Sequence, residues 1–555
     1  MIIHLFQIIA ILFLVFLFAF SYIGYGLVMN KLIFKDKISL DFGQLGLFGI
    51  FPLIIISYLT SFFTPHNIVH NLIVLLFGIF SFVFLDKNST KKFQLKILFL
   101  IIIFTFTFFI ISKNHDDFPY YHLPYALFLS ENKIAFGLGL LNYGFRHHSS
   151  ILFLNSLTFL PWVKYFLFNL PNYLILIFIN LSLFNFLTKN LKKKNIVFIL
   201  SLIFILLINF KFTRLSEYGT DIAGQIILFV IVLNFINILN YKNKIENVYF
   251  NIFLLLIIFS FKVYFLLYFI LVPLILYEIK INPFKQKKNL KAIFFYFLFS
   301  LLFIVHNLIN TGCVIYPVEF TCLGDKYFWT LSIEEVDRMG LWLESWSKAG
   351  AGPNYKIENL NEYVKGLNWI SNWYEKYFLG KFTDFIFLVL LINLLIYLNY
   401  NKFIYFNNNF KKIKRVLFIT LTIALVFWFL EHPSLRYGGY LPFTIFITLI
   451  SLLFYSDKYL KKKILNKTKV FILIAIFIFN FKNLIRITEE FDRKDQYRFT
   501  NFPFYKVIQK DFESLYYENK IYLNITNGYC WATLTPCSNT EYKLKSINNY
   551  FFFVR

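Results

Sequence analysis

The chain has no phosphate-binding glycine loop ending in Lys-Ser or Lys-Thr, no His-Glu-x-x-His and no Gly-x-Ser-x-Gly. The first absence excludes the P-loop nucleotide engine, the others the zinc-peptidase helix and the nucleophile elbow. The segments read as cytoplasmic are too short for a nucleotide-binding domain. The energy source is then a gradient or an already activated, lipid-borne substrate. No ten-residue alternation of apolar and polar residues is visible, which excludes an outer-membrane-type barrel. No short-period repeat or inverted duplication of the transporter kind is evident. Met1 to Met29 lacks a basic n-region and a small-residue cleavage site, so it reads as a first membrane helix rather than a removed signal peptide. Acidic residues are scarce, 30 against 55 Lys and Arg.

Apolar residues dominate instead. They make up 58% of the 555 residues, with 77 Phe, where a soluble chain has about 45–50%. Apolar runs of roughly 18 residues or more, bounded by Lys, Asn or Asp, define an all-α polytopic membrane protein. The net charge of +25 sits in short loops, at Lys31, Lys35 and Lys37, at Lys192 to Lys194, at Lys285, Lys287 and Lys288, and at Lys411, Lys412, Lys414 and Arg415. Such clusters mark cytoplasmic ends, so the charge reports topology and not nucleic-acid binding.

Spans are expected at about 2–29, 44–64, 67–86, 95–112, 172–188, 196–212, 220–239, 294–309, 382–399, 416–430, 440–456 and 469–485. The apolar stretch between the basic loops at 241–246 and 280–291 is only about 28 residues, too short for two crossings. It reads as a re-entrant hairpin with Lys262 at its tip. The total is about twelve or thirteen crossings plus that hairpin. Residues 1–485 form the transmembrane domain. Within it, 113–170 is a first large outer loop with interfacial or re-entrant helices, and 310–381 a second. Residues 486–555 form a small non-cytoplasmic tail. All four cysteines fall on the side called outer. Proximity favours Cys313–Cys322 and Cys530–Cys537, as in an oxidising compartment; a four-cysteine metal site lacks the Cys-x-x-Cys spacing.

The outer segments carry the chemistry-bearing residues. Asp116 and Asp117, with His115 and His122, follow an apolar span directly. A carboxylate there can act as general base, and two can hold a divalent cation, Mg or Mn; the plainer reading is a solvated loop or helix cap. Arg146 suits a phosphate or the aspartate pair. His147 and His148 are adjacent, and neighbours on regular structure diverge, which disfavours shared metal ligation. Glu217 and Asp221 could complete a site with the first loop, or Thr220-Asp221 simply starts a helix. Lys262 suits a phosphate or snorkels to the interface. Arg436, followed by Tyr437, is a phosphate clamp or a headgroup anchor. Five Trp in 310–381 suit sugar stacking or a membrane interface.

The run Asp117-x-x-Tyr120-Tyr121-His122, Glu131-Asn132-Lys133-Ile134, Gly137-Leu138-Gly139, Arg146 and Ser149-Ser150 resembles a bacterial group within the GT-C superfamily of polytopic glycosyltransferases. Thr311-Gly312-Cys313, Tyr316-Pro317, Trp329 and Pro433 with Arg436-Tyr437 also fit it, and the resemblance covers most of residues 1–455. It implies a multi-pass protein of the bacterial inner (plasma) membrane, its site facing the periplasm or exterior. A sugar would pass from a polyprenyl-phosphate donor to an envelope glycan or lipid acceptor. Asp116 or Asp117 would be base or metal ligand, and Lys262 and Arg436, with His122, Arg146 and Tyr437, would bind substrate. The competing readings are a transporter or flippase of lipid-linked glycans, and an envelope polysaccharide polymerase or ligase.

Overall fold

In a computed structural model, the structure describes residues 2–85, 91–111, 115–193, 195–217, 219–241, 245–280, 289–352, 357–400, 410–455, 465–492, 505, 507–508, 510–517, 521–548 and 550–554. Among them, ten helices are long and apolar enough to cross a membrane, and four apolar helices are shorter. The protein is a polytopic helical membrane protein.

The helices that position the site are Ile2–Met29 (α1), Phe42–Ser61 (α2), Ile68–Leu85 (α3), Leu123–Glu131 (α4), Leu170–Asn190 (α5), Thr220–Tyr241 (α6), Ile245–Phe261 (α7), Leu290–Thr311 (α8), Ile333–Lys348 (α9), Phe410–Glu431 (α10) and Tyr440–Leu452 (α11). Helices α2, α5 and α6 are buried along most of their length and form the centre of the bundle, whereas α1, α3, α8 and α10 turn much of their surface outward. That surface is apolar: Phe77, Phe80 and Phe84 of α3 are all exposed, as expected where the solvent is hydrocarbon.

Helix α2 starts with a capping box, in which the Asp41 carboxylate accepts from the Gln44 backbone and the Gln44 side chain accepts from the Asp41 backbone. Contact between α1 and α2 depends on small residues. A Cβ on Gly49 would lie 1.9 Å from the Tyr22 carbonyl oxygen, and one on Gly26 would lie 2.0 Å from that of Leu45. Backbone cannot yield as a side-chain tip can. Close approach through glycine is a common way to pack membrane helices, which gain no hydrophobic driving force from one another. Gly49→Ala is expected to destabilise the bundle by about 1–3 kcal/mol, read as a lower melting temperature in detergent; an unchanged melting point would mean that the two helices are not this close.

Residues 115–170 fall in the segment expected to be an outer loop with interfacial or re-entrant helices. They form short helices packed into the bundle: Leu123 to Ser130 of α4 and Ser150 to Ser156 are buried throughout. The apolar stretch at 245–278 is two short helices, α7 and Val263–Glu278, with Lys262 between them in an extended conformation. At the end of the chain lies a β unit, unlike the helices before it. Strands Phe512–Tyr517 (β1), Ile521–Thr526 (β2) and Cys537–Ser538 (β3) form one sheet, and Lys543–Ile547 (β4) and Tyr550–Val554 (β5) a second. Both expected disulfides are formed, Cys313–Cys322 just after α8 and Cys530–Cys537 within the β unit.

The β unit grips the segment that follows Asp117. The Phe136 backbone donates to the Phe551 carbonyl at 2.8 Å and accepts from the Phe553 N–H at 2.9 Å, and the Phe136 and Phe552 rings stack at 4.3 Å. Glu131 accepts from the Thr535 hydroxyl at 2.6 Å and its backbone N–H at 3.0 Å. The Trp531 N–H reaches the Pro119 carbonyl at 3.2 Å.

Candidate functional site

Three charged residues that are far apart in sequence meet at one end of the bundle. Asp221 begins α6, Lys262 follows α7, and Arg436 lies in the turn between α10 and α11. The Asp221 Oδ2 atom accepts from Arg436 Nε at 2.9 Å and from an Arg436 terminal nitrogen at 2.6 Å. Its other oxygen, Oδ1, lies 3.3 Å from Lys262 Nζ. The carboxylate is sealed in, with its side chain 5% exposed, while Lys262 keeps 21% and Arg436 37% of theirs. One anion thus stands behind two cations that face an accessible surface, a net positive face set in an apolar bundle.

The turn that carries Arg436 is tied down at nearly every residue. The Arg436 carbonyl accepts from Gln225 Nε2 at 2.7 Å and from the Tyr264 hydroxyl at 2.9 Å. The Tyr268 hydroxyl donates to the Gly438 carbonyl. Trp373 donates to the Pro433 carbonyl and Trp428 to that of Ser434. Gly438, at φ 89°, closes the turn in a conformation that glycine adopts without strain. A guanidinium on so fixed a backbone loses little freedom when it binds a ligand. Trp346 of α9 lies 5.4 Å from it and Tyr437 5.7 Å, at cation–π range. Trp342 and Trp346 stack on one another, and Trp342 is exposed.

The first loop meets this cluster through Asp117. Burial pushes the Tyr437 phenol up to about 12; Arg436 opposes the rise, and Asp221 and Asp117 add to it. Burial drives His122 down to about 4, with Asp117 opposing that and Lys262 reinforcing it. Asp117, Asp221, Lys262 and Arg436 therefore share one electrostatic neighbourhood. Asp117 is part-exposed and lies 3.4 Å from His115 Nδ1. Asp116 is exposed. No group of three or more His, Cys, Asp or Glu side chains able to hold a metal ion exists among the described residues.

Other expected residues go elsewhere. Arg146 is buried; its Nε donates to the Gly139 carbonyl at 3.0 Å and a terminal nitrogen to Glu335 at 3.2 Å, so its carboxylate partner is in the second loop and not the aspartate pair. His148 shares a 2.9 Å hydrogen bond with the Tyr58 hydroxyl. The Glu217 side chain lies outside the described residues. The structure makes Asp221 the centre of the cluster, sets Trp346, one of the five Trp of 310–381, beside Arg436, and adds Gln225 and Tyr264, which sequence reasoning did not select. In the sequence Asp221 reads as a supporting carboxylate or as a helix start.

Residues 7–443 match the family described as a domain of unknown function, DUF8201. The chain belongs to that family. The DUF8201 region contains Asp117, Asp221, Lys262 and Arg436 and ends before the β unit. No curated protein matches the chain, and no solved structure does.

This end of the molecule also holds buried imidazoles. Burial drives His66 and His148 down to about 3, in line with His122. Each binds its proton more weakly folded than unfolded. The stability they contribute is complete above the usual imidazole range, near 6.5, and is lost as pH falls towards 3–4. Each costs about 2 kcal/mol by pH 5. The melting temperature in detergent is therefore expected to drop clearly between pH 7.5 and pH 5; equal values at the two pH settings would refute neutral burial of these rings.

Proposed function

We propose that the protein is a GT-C-type glycosyltransferase of a bacterial inner membrane, with about twelve or thirteen crossings and the Asp221 end facing the periplasm or exterior. In this reading the two short helices around Lys262 are a re-entrant hairpin, and the C-terminal β unit lies on the outer side. A polyprenyl-phosphate sugar enters laterally, and the sugar passes to a glycan or lipid acceptor of the envelope.

The observation that carries the reading is the layered charge. Asp221 holds Lys262 and Arg436 in place from behind, and both cations keep an exposed face at the end of apolar helices. That arrangement suits a lipid-borne phosphate, whose tail stays in hydrocarbon while its charge meets fixed donors. In a single displacement, the acceptor oxygen bonds to the anomeric carbon as the carbon–oxygen bond to phosphate breaks. The acceptor proton goes to Asp117, and polyprenyl phosphate leaves with the bonding pair. Lys262 and Arg436 offset the charge that grows on the phosphate oxygens. Trp346 and Tyr437 offer aromatic faces beside that point. Attack opposite the leaving group inverts the sugar carbon.

The test is turnover of a polyprenyl-phosphate sugar by the full chain in nanodiscs, followed as release of polyprenyl phosphate. Release that needs an added acceptor and falls with Arg436→Gln supports the proposal. Neither release nor binding across a panel of such donors would overturn it.

A further inference from the structure

The opposite end of α6 and α7 holds a second polar feature. A cavity of about 540 Å³ opens where the start of α2, the end of α5, the end of α6 and the start of α7 meet. Its lining residues on α6, Asn234 to Tyr241, lie 13 to 20 residues beyond Asp221, about 20–30 Å along the helix axis at 1.5 Å per residue. It belongs to a different site.

Three ammonium groups line it, from Lys37, Lys189 and Lys193. Lys193 lies 4.0 Å from the Tyr241 ring centre, and Lys37 stands 3.6 Å from Glu246. The one carboxylate in the lining, Asp41, accepts from the Gln44 backbone at 2.9 Å and the Ser182 hydroxyl at 3.4 Å. It serves as the cap of α2. Three cations against these two carboxylates leave the cavity positive.

Its wall is a chain of buried carboxamides. Gln44 donates to Asn234 at 2.9 Å, Asn234 to Asn251 at 3.0 Å, and Asn251 to the Asn247 carbonyl at 2.7 Å. Asn234 is 6% and Asn251 1% exposed. Buried amides cost free energy that apolar residues would not, and pure packing needs no polar cavity of this size. Each carboxamide nitrogen gives one hydrogen to the chain and has a second to offer.

We propose that this cavity is a second ligand site, for a phosphate ester whose phosphate meets the lysines and whose hydroxyls meet the carboxamides. The phosphate comes either from a lipid headgroup at that membrane surface or from a soluble ester. The proposal does not depend on the transferase reading.

Binding is measured by native mass spectrometry on the full chain in nonionic detergent. The probes are phosphatidylglycerol, sn-glycerol 3-phosphate and, as the neutral control, phosphatidylcholine. At least one anionic probe is expected to bind better than phosphatidylcholine, and about tenfold more weakly to Lys189→Gln/Lys193→Gln. Asn237→Asp, which sets a negative charge in the lining, is expected to weaken it too. Lys92→Gln/Lys96→Gln should leave it unchanged. Binding of the lipid alone assigns the headgroup; binding of glycerol phosphate as well assigns a soluble ester. The proposal falls if no anionic probe binds, if phosphatidylcholine binds equally, or if affinity follows Arg436 and not the lysine pair.

Discussion

Asp221→Asn is expected to cost the protein about 2–3 kcal/mol of stability while leaving its affinity for an anionic headgroup intact or improved. Removing one partner of a buried ion pair costs about 3–5 kcal/mol when the other charge is stranded. Here two cations lose their shared counter-ion, but both touch solvent, and the figure is discounted for that. Asparagine keeps the shape and removes the charge, so Lys262 and Arg436 then repel one another. A bound phosphate can take the place of the missing carboxylate. The melting temperature of the variant should therefore drop by several degrees and recover when polyprenyl phosphate is added, because a ligand that binds only the folded state stabilises it. A drop that the ligand does not reverse would place the phosphate elsewhere.

Asp117→Asn is expected to lower sugar transfer by about 10²–10⁴-fold, the usual worth of a general base, with donor affinity held within about twofold. The neighbouring Asp116→Asn should keep nearly full activity. Asp117 lies in the electrostatic neighbourhood of Arg436 and His122, while Asp116 is exposed. Rates come from single-turnover transfer in nanodiscs, and affinity from donor titration. Equal losses from the two variants would remove Asp117 from the base position. Unchanged transfer with lost translocation of the lipid-linked sugar would point to a transporter instead.

The parts of this molecule that were legible in sequence are those set by local composition. A helix long enough to cross a bilayer is a run of apolar residues, and the ten that qualify among the described residues stand out without any tertiary information. The disulfide partners are nine and seven residues apart, so proximity alone identified them. The ion pairs are another matter. Arg436 is 215 residues from Asp221, and Arg146 is 189 from Glu335. Which carboxylate answers which cation depends on how α6, α9 and the turn after α10 cross, and no local pattern encodes that. By sequence Asp221 reads as no more than a supporting residue, because Thr220-Asp221 also satisfies the ordinary rules for starting a helix. The depth to which Leu123 to Ser130 and Ser150 to Ser156 are buried was not legible either. Their mixture of apolar, aromatic and polar side chains fits interfacial or re-entrant helices, and the β unit and neighbouring helices packed against them bury Leu123 to Ser130 and Ser150 to Ser156.

The grip of the β unit on Phe136, Glu131 and Pro119 also sets an order in time. The ribosome makes the Asp117 segment well before the strands that hold it. Until β1 to β5 have been made, folded and joined through Cys530 and Cys537, the early segment lacks the hydrogen bonds that hold it. A nascent or truncated chain would carry every charged residue of the site and still hold Asp117 loosely. Assembly of the segment after Asp117 thus waits on the β unit, however early that segment itself is made.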